Sequence, residues 1–187
     1  MTHHFEAGAE LEVLVRSASP QDAPSLVALA SAVAGEQEGW LLADSRWRST
    51  ADERRYIRAL HRHPDAALLV AELPGGELVG RLSVMRDNHP ASAHVADLGL
   101  MVAAAHRRSG VGTMLMAAAE QWASEHGVTK LELHVFPYNR PAISLYEKLG
   151  YQREGVRRAH YRRSDDNLSD VFLMAKQLHR SGGSSGK

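Results

Sequence analysis

The run His106-Arg107-Arg108-Ser109-Gly110-Val111-Gly112 places two guanidinium groups and two glycines between an apolar, strand-like segment, Val95 to Val102, and a helix pattern from Val111 to His126. Such a junction can hold an anion. The first turn of a helix leaves its backbone N–H groups unpaired and carries the positive end of the macrodipole, so a phosphate there is hydrogen-bonded and charge-stabilised together. The backbone amides from Arg107 through Ser109 and Val111 to Gly112 would form the seat. Gly110 and Gly112 let the chain come close to it, and Arg107 and Arg108 add charge-assisted bonds. The plain alternative is a solvated basic turn. The spacing is not a P-loop, because no Lys-Ser/Thr pair follows the last glycine. A dinucleotide fingerprint needs a third glycine where Leu115 stands, although Glu132 lies where a ribose-binding acid is expected.

The elements that must position this turn follow from periodicity. Leu11 to Arg16 alternates like a strand. Ser19-Pro20-Gln21-Asp22 then opens a helix whose apolar side is Leu26, Leu29, Ala30 and Val33. Thr50-Ala51-Asp52-Glu53 reads as a capping box for a second helix presenting Tyr56, Ile57 and Leu60 and ending near His63-Pro64. Ala67 to Leu73 and Leu78 to Met85 are strands joined by the turn Pro74-Gly75-Gly76-Glu77. Lys130 to Phe136 is a strand and Asn139 to Leu149 a helix stopped by Gly150, with Tyr151 placed for a Schellman-type contact. Tyr151 to Val156 and Ser169 to Ala175 should close the sheet as an antiparallel pair. No internal repeat is visible.

A second block supports the turn. Leu131-Glu132-Leu133-His134-Val135-Phe136-Pro137-Tyr138-Asn139-Arg140-Pro141-Ala142-Ile143-Ser144-Leu145-Tyr146-Glu147-Lys148-Leu149-Gly150-Tyr151 resembles the strand-then-helix segment of the GNAT superfamily of acetyl-CoA-dependent N-acetyltransferases. Arg107-x-x-Gly110-x-Gly112 resembles that superfamily's pyrophosphate motif, Arg/Gln-x-x-Gly-x-Gly/Ala. Together with the preceding strand the two blocks cover roughly residues 93–158, and Asp170 to Met174 resembles a closing strand. The resemblance implies an α/β (α+β) fold with a mixed, mostly antiparallel central sheet flanked by helices, in the order β-α-α-β-β-β-α-β-α-β-β that the periodicity also yields.

The resemblance also implies a chemistry: acetyl-CoA as acyl donor, a primary amine as acceptor, and direct attack in a ternary complex. Met101 and Val102 would supply a backbone N–H to the carbonyl oxygen. Asn139, by itself an ordinary helix N-cap, would also hold the cofactor arm. Tyr146 falls at core spacing with Ile143 and Leu149; in similar proteins a tyrosine at its position lies near the thioester sulfur, where a phenol can protonate the departing thiolate. An attacking amine must lose a proton, and Asp97, in the strand before the turn, is the candidate base. His94 precedes it by three and so faces the other way. Asp97 serves equally as a structural acid. The loop Gly35 to Ser49 carries Glu36, Glu38, Trp40, Asp44 and Trp47 and is expected to line the amine side. The rival reading is a non-catalytic acyl-CoA-binding sensor or scaffold.

Composition narrows the classes. The chain has 187 residues, suited to one domain, here bounded as 9–179 with flexible tails at 1–8 and 180–187. Lys+Arg and Asp+Glu both number 22, so neither nucleic acid nor an anionic membrane is expected as partner. The eleven histidines do not cluster at ligand spacing and cysteine is absent, so no metal is expected. No apolar run approaches a membrane span, and a soluble, cytoplasmic protein is expected. The acceptor stays open among a small amine or polyamine, an amino acid or antibiotic, and a protein amine; a homodimer is compatible with all of these.

Overall fold

The computed structural model describes residues 2–7, 11–42, 47–163 and 165–178. Alternating apolar segments become strands: Leu11–Ser17 (β2), Ala66–Glu72 (β3), Leu78–Arg86 (β4), Val95–Val102 (β5), Lys130–Val135 (β6), Gln152–Arg162 (β7) and Leu168–Gln177 (β8). Segments of helical period become Ala23–Ala34 (α1), Thr50–Leu60 (α2), Val111–Glu125 (α3) and Arg140–Lys148 (α4). One further strand, Thr2–Ala7 (β1), pairs antiparallel with β2, from Thr2 opposite Arg16 to Ala7 opposite Leu11. Residues 2–7, expected within a tail over residues 1–8, thus form a paired strand, which gives the edge of β2 backbone partners that it would otherwise leave to water. Residues 180–187, expected as the other tail, lie outside the described residues.

Among the described residues the sheet has eight strands in the order β1-β2-β3-β4-β5-β6-β8-β7, and every pairing is antiparallel except β5 with β6. Helices cover both faces. α3 buries Val111, Leu115, Met116, Ala119 and Ala123 against the main core, which also takes Ile143 and Tyr146 of α4. On the other face α1 and α2 bury Leu26, Ile57 and Leu60 over β3, and Leu29, Ala30 and Val33 pack on Met101 of β5.

Local chemistry sets the helix ends. Pro20–Asp22 forms a 3-10 turn and α1 proper begins at Ala23, with Pro24 in its first turn, where a missing N–H costs nothing. The backbone N–H of Ser19 donates to Asp22 (2.6 Å). The cap of α2 is Ser49 rather than the expected Thr50: Ser49 Oγ accepts from the Asp52 N–H (3.1 Å) and donates to the Asp52 carboxylate (2.6 Å). At the end of α4 the Tyr151 N–H returns to the Tyr146 carbonyl (2.9 Å) and the Gly150 N–H to that of Glu147 (3.0 Å), the paired bonds of a Schellman stop. The Tyr151 ring lies 6.0 Å from that of Tyr146, so the helix stop also fixes the tyrosine above it.

The two readings of the α2 cap give different outcomes. Ser49→Ala should cost about 1 kcal/mol in urea unfolding and Thr50→Ala a few tenths at most; the reverse order would return the cap to Thr50.

Candidate active site

β5 and β6 run side by side for three residue pairs: Val95 with Lys130, Ala96 with Leu131, and Asp97 with Glu132. Beyond them the strands part, while β5 stays paired to β4 as far as Val102 and β6 to β8 as far as Val135. A cleft of about 640 Å³ occupies the gap, walled by Leu98 to Val102 on one side and His134 to Phe136 on the other. The Ala103 N–H donates to the Val79 carbonyl (2.9 Å). Antiparallel alternation from that bond, with no register shift, turns the N–H of Met101 toward β4 and those of Leu100 and Val102 into the gap. Of the expected pair, Val102 therefore has the free donor, and Leu100 is a further one that sequence reasoning missed.

At the mouth of the gap the turn is left-handed at Arg108 (φ 63°) and Gly110 (φ 93°), a conformation a glycine adopts without strain. Alternating handedness turns successive N–H groups to one side, an anion-binding concavity. The Met114 N–H is the first in α3 to reach a carbonyl, that of Gly110 (3.0 Å), so the preceding amides stay available. Gly112 is needed for packing as well: a Cβ there would meet Leu145 of α4 at 2.9 Å. Val111 is fully buried and its side chain faces the core, and Ser109 Oγ is spent on the His106 carbonyl (2.7 Å), so both can offer a ligand their backbone only.

Arg107 departs from expectation. Its Nη1 and Nη2 donate to both oxygens of Glu36 (2.8 and 2.7 Å), its Nε donates to the Val102 carbonyl (3.1 Å), and its guanidinium lies 4.8 Å from the Trp40 ring centre. Its backbone N–H goes to the Ala104 carbonyl (3.3 Å). Its guanidinium therefore fastens the loop after α1 to the end of β5 at the cleft wall, and Glu36, expected to attract an amine, is its ion-pair partner. Glu38 is exposed and outside the cleft lining, whereas Trp40 and Trp47 are in it. Asp44 lies outside the described residues.

Asn139 Oδ1 accepts the Ala142 N–H (3.2 Å), the expected N-cap, and the residue also lines the cleft. Tyr146 is 5% exposed and lines the cleft, and burial pushes its phenol well above the ordinary range. Its hydroxyl has no hydrogen-bond partner among the described residues. Asp97 sits at the closed end, outside the lining, with its side chain exposed to solvent on one side; the chain packed around the rest of it, then the charge of Glu132, pushes its carboxyl up to about 6, with Arg157 opposing. His94 is exposed and also outside the lining.

The site residue the sequence most conspicuously hides is His134. It lines the cleft, its Nδ1 lies 3.0 Å from Tyr161 Oη, and its Nε2 is buried without a partner. Burial, then Arg157 and His160, lower its pKa to about 4, so it is neutral at pH 7. The signal was available: Lys130, Glu132 and His134 alternate with buried Leu131, Leu133 and Val135 and so face away from the α3 and α4 layer. Among the described residues no group of His, Cys, Asp and Glu could hold a metal ion, and no helix is long and apolar enough to cross a membrane.

The chain is similar to known proteins. The family model described as Acetyltransferase (GNAT) family matches residues 36–151. The chain is 32% identical over 105 residues to the L-amino acid N-acetyltransferase AaaT of Escherichia coli, an alignment covering 54% of this chain and 62% of that relative. It is 32% identical over 122 residues to an N-alpha-acetyltransferase of Sulfurisphaera tokodaii, covering 61% and 71%. The chain thus spans just over three-fifths of the length of the Escherichia coli relative. A crystal structure of a GNAT-family acetyltransferase from Streptococcus pneumoniae superposes with a TM-score of 0.79 at 26% identity, over 90% of this chain and 100% of that one. The acetyl-CoA-bound structure of a putative acetyltransferase, yncA, from Salmonella typhimurium shares the fold with a TM-score of 0.77 at 18% identity, over 94% and 99%.

The Arg107–Glu36 pair is part-buried at both ends, 25% and 16% exposed. Glu36→Gln should lower stability by about 1–2 kcal/mol, between the values for exposed and buried pairs, and speed amide exchange in residues 36–42. Wild-type stability and exchange would show that the pair holds nothing.

Proposed function

The chain belongs to the GNAT family of acetyltransferases, and from that premise we propose that it moves the acetyl group of acetyl-CoA to a primary amine, with donor and acceptor bound together. The gap between β5 and β6, with unpaired backbone along its wall and the left-handed turn at its mouth, supports this reading most strongly. A slot bordered by strand backbone suits an extended, amide-bearing arm, and the turn suits a pyrophosphate. The amides from Arg108 to Gly112, with the Arg108 and Lys148 side chains at the cleft wall, would hold the phosphates. The backbone of Leu100 and the amide of Asn139 would hold the arm. Acetyl-CoA, once bound, supplies an activated thioester.

The chain's own groups then have distinct tasks. The Val102 N–H polarises the acyl oxygen as charge gathers on it. Tyr146 offers its hydroxyl to the departing sulfur. Because burial raises its pKa, the phenol stays protonated and acts chiefly as a hydrogen-bond donor, with complete proton transfer uphill. On the opposite face His134 Nε2 takes the proton from the amine, in the tautomer whose Nδ1–H donates to Tyr161. Asp97, first considered as the base, acts one step out: its charge is felt by Tyr161, whose hydroxyl touches His134 Nδ1, so its ionisation bears on the imidazole's partner rather than on the imidazole itself.

Release of CoA thiol from acetyl-CoA with a panel of amines tests the activity; tight binding without release for any amine would favour a sensor module. Gly110→Val should weaken acetyl-CoA binding by about 10-fold or more in calorimetry, since the side chain strains a positive-φ site and fills the phosphate seat. Unchanged affinity would remove the phosphate from this turn. Tyr146→Phe should lower kcat by about 10- to 100-fold at unchanged acetyl-CoA affinity; unchanged turnover would leave Tyr146 a core residue.

The pH profile separates the proton-handling groups. With a raised pKa of about 6, Asp97 is neutral below that value and charged above it, so kcat/KM should rise with pH through about 6. Asp97→Asn should abolish that limb, and a limb that survives there would belong to another group.

A further inference from the structure

Among the described residues the cleft lining holds four cationic side chains, Arg81, Arg107, Arg108 and Lys148, and no aspartate or glutamate. Arg107 is paired with Glu36. Arg108 and Lys148 stand at the turn and at the end of α4. Arg81 is elsewhere: it lies on β4 directly opposite Met101 of β5 and shares the α1 and α2 face with it.

Arg81 is only loosely paired. Its side chain is 7% exposed and that of Glu53 is fully buried, yet their nearest atoms are 3.7 Å apart, too far for a hydrogen bond. Glu53 is shared with Arg48 at 3.4 Å, and the Arg48 guanidinium in turn stacks 4.0 Å from the Tyr56 ring centre. Two guanidinium groups thus share one carboxylate, Arg48 from a side chain 41% exposed and Arg81 from a nearly dry place where the Tyr56 hydroxyl also acts on it. Two donors there also lack partners: Arg81 Nε and Trp47 Nε1 are both buried without a hydrogen bond, and the Arg81 guanidinium lies 4.9 Å from the Trp47 ring centre. Buried donors in that state ask for an acceptor from outside the chain.

We propose that Arg81 and Trp47 seat a carboxylate of the acceptor, which makes the acceptor an amino carboxylic acid rather than a polyamine or a lysine side chain. This rests on the acetyl transfer proposed above and names its substrate class. Charge decides the sign, because a lining without carboxylates repels a polycation and attracts an anion. Distance decides the spacing: Arg81 starts one strand, about 5 Å, from Met101, and the Leu100 and Val102 amides open on the far side of that strand. A seat so near the unpaired amides favours a carboxylate close to the amine, as in an α- or β-amino acid. The aromatic and aliphatic walls, Trp40, Leu41, Leu42 and Phe136, favour an apolar side chain on it.

The test compares L-phenylalanine, its C-terminal amide and phenethylamine by thiol release, in the wild type, Arg81→Gln and Arg81→Lys. The wild type should prefer the acid over the amide by about 10-fold or more in kcat/KM. Arg81→Gln should bring the acid down to the level of the amide, and Arg81→Lys should restore part of the preference. The double variant Arg81→Gln/Glu53→Gln, which strands no buried carboxylate, serves if the single variant fails to fold. Calorimetry of N-acetyl-L-phenylalanine against its amide reads the carboxylate seat without turnover. Acid and amide treated alike by the wild type, or all three acceptors reduced equally by Arg81→Gln, would overturn the proposal while leaving acetyl transfer standing. Arg81-dependent binding of the acid without thiol release would uphold the seat and overturn the transfer.

Discussion

The parting of β5 from β6 after three residue pairs is the constraint on which the rest of the molecule depends. A strand in mid-sheet that loses its neighbour leaves donors and acceptors bare, at a cost of about 1–3 kcal/mol for each one kept from water. The fold tolerates this because both strands are held on their outer sides, β5 by β4 and β6 by β8. The late strand β8 enters between β6 and β7 for that reason: without it β6 would be bare on both sides once it leaves β5. The bare stretch becomes a ligand-ready wall whose groups are preorganised by the sheet and therefore lose little entropy on binding.

The elements around the gap are fastened by a few contacts that each connect two tasks. Arg107 spends its guanidinium on contacts within the chain. By pairing with Glu36 and bonding the Val102 carbonyl, it holds the acceptor loop against the strand end and occupies an acceptor group that would otherwise be left over. The close approach of Gly112 to Leu145 sets α4 against α3, which brings Asn139 and Tyr146 to the cleft. The stop at Gly150 and Tyr151 then locks Tyr146 from below. The left-handed turn, the gap and Tyr146 are thus fixed relative to one another by backbone and packing, and Arg81 lies on the opposite face.

What was legible in the sequence was what repeats or what local chemistry dictates. Strand alternation, the apolar side of α1, the stop at Gly150 and the two glycine-bearing blocks placed nearly every element, and with them Asn139, Tyr146 and the turn. Errors of one residue came where two capping groups stood side by side, as Ser49 and Thr50 do. The edge strand Thr2–Ala7 was missed because its stability comes from a neighbour distant from any local signal. Pairings across long separations were illegible in principle: Glu36 and Arg107 lie 71 positions apart, and an acidic loop looks the same whether its charge is free or spent. Arg81 and His134 were overlooked for a related reason. Each is one polar residue in an apolar strand, and only the neighbouring elements decide whether such a residue meets solvent, a partner or a cleft.

The account depends most on the unpaired backbone of β5 being what receives the acyl donor. Residue-resolved amide exchange with and without acetyl-CoA tests this directly, because alternation gives neighbouring residues opposite fates. The account predicts that acetyl-CoA slows exchange at Leu100 and Val102 while Met101, already bonded to β4, changes little. Equal exchange at Leu100 and Val102 in both states, with acetyl-CoA bound, would place the donor outside the gap and contradict it.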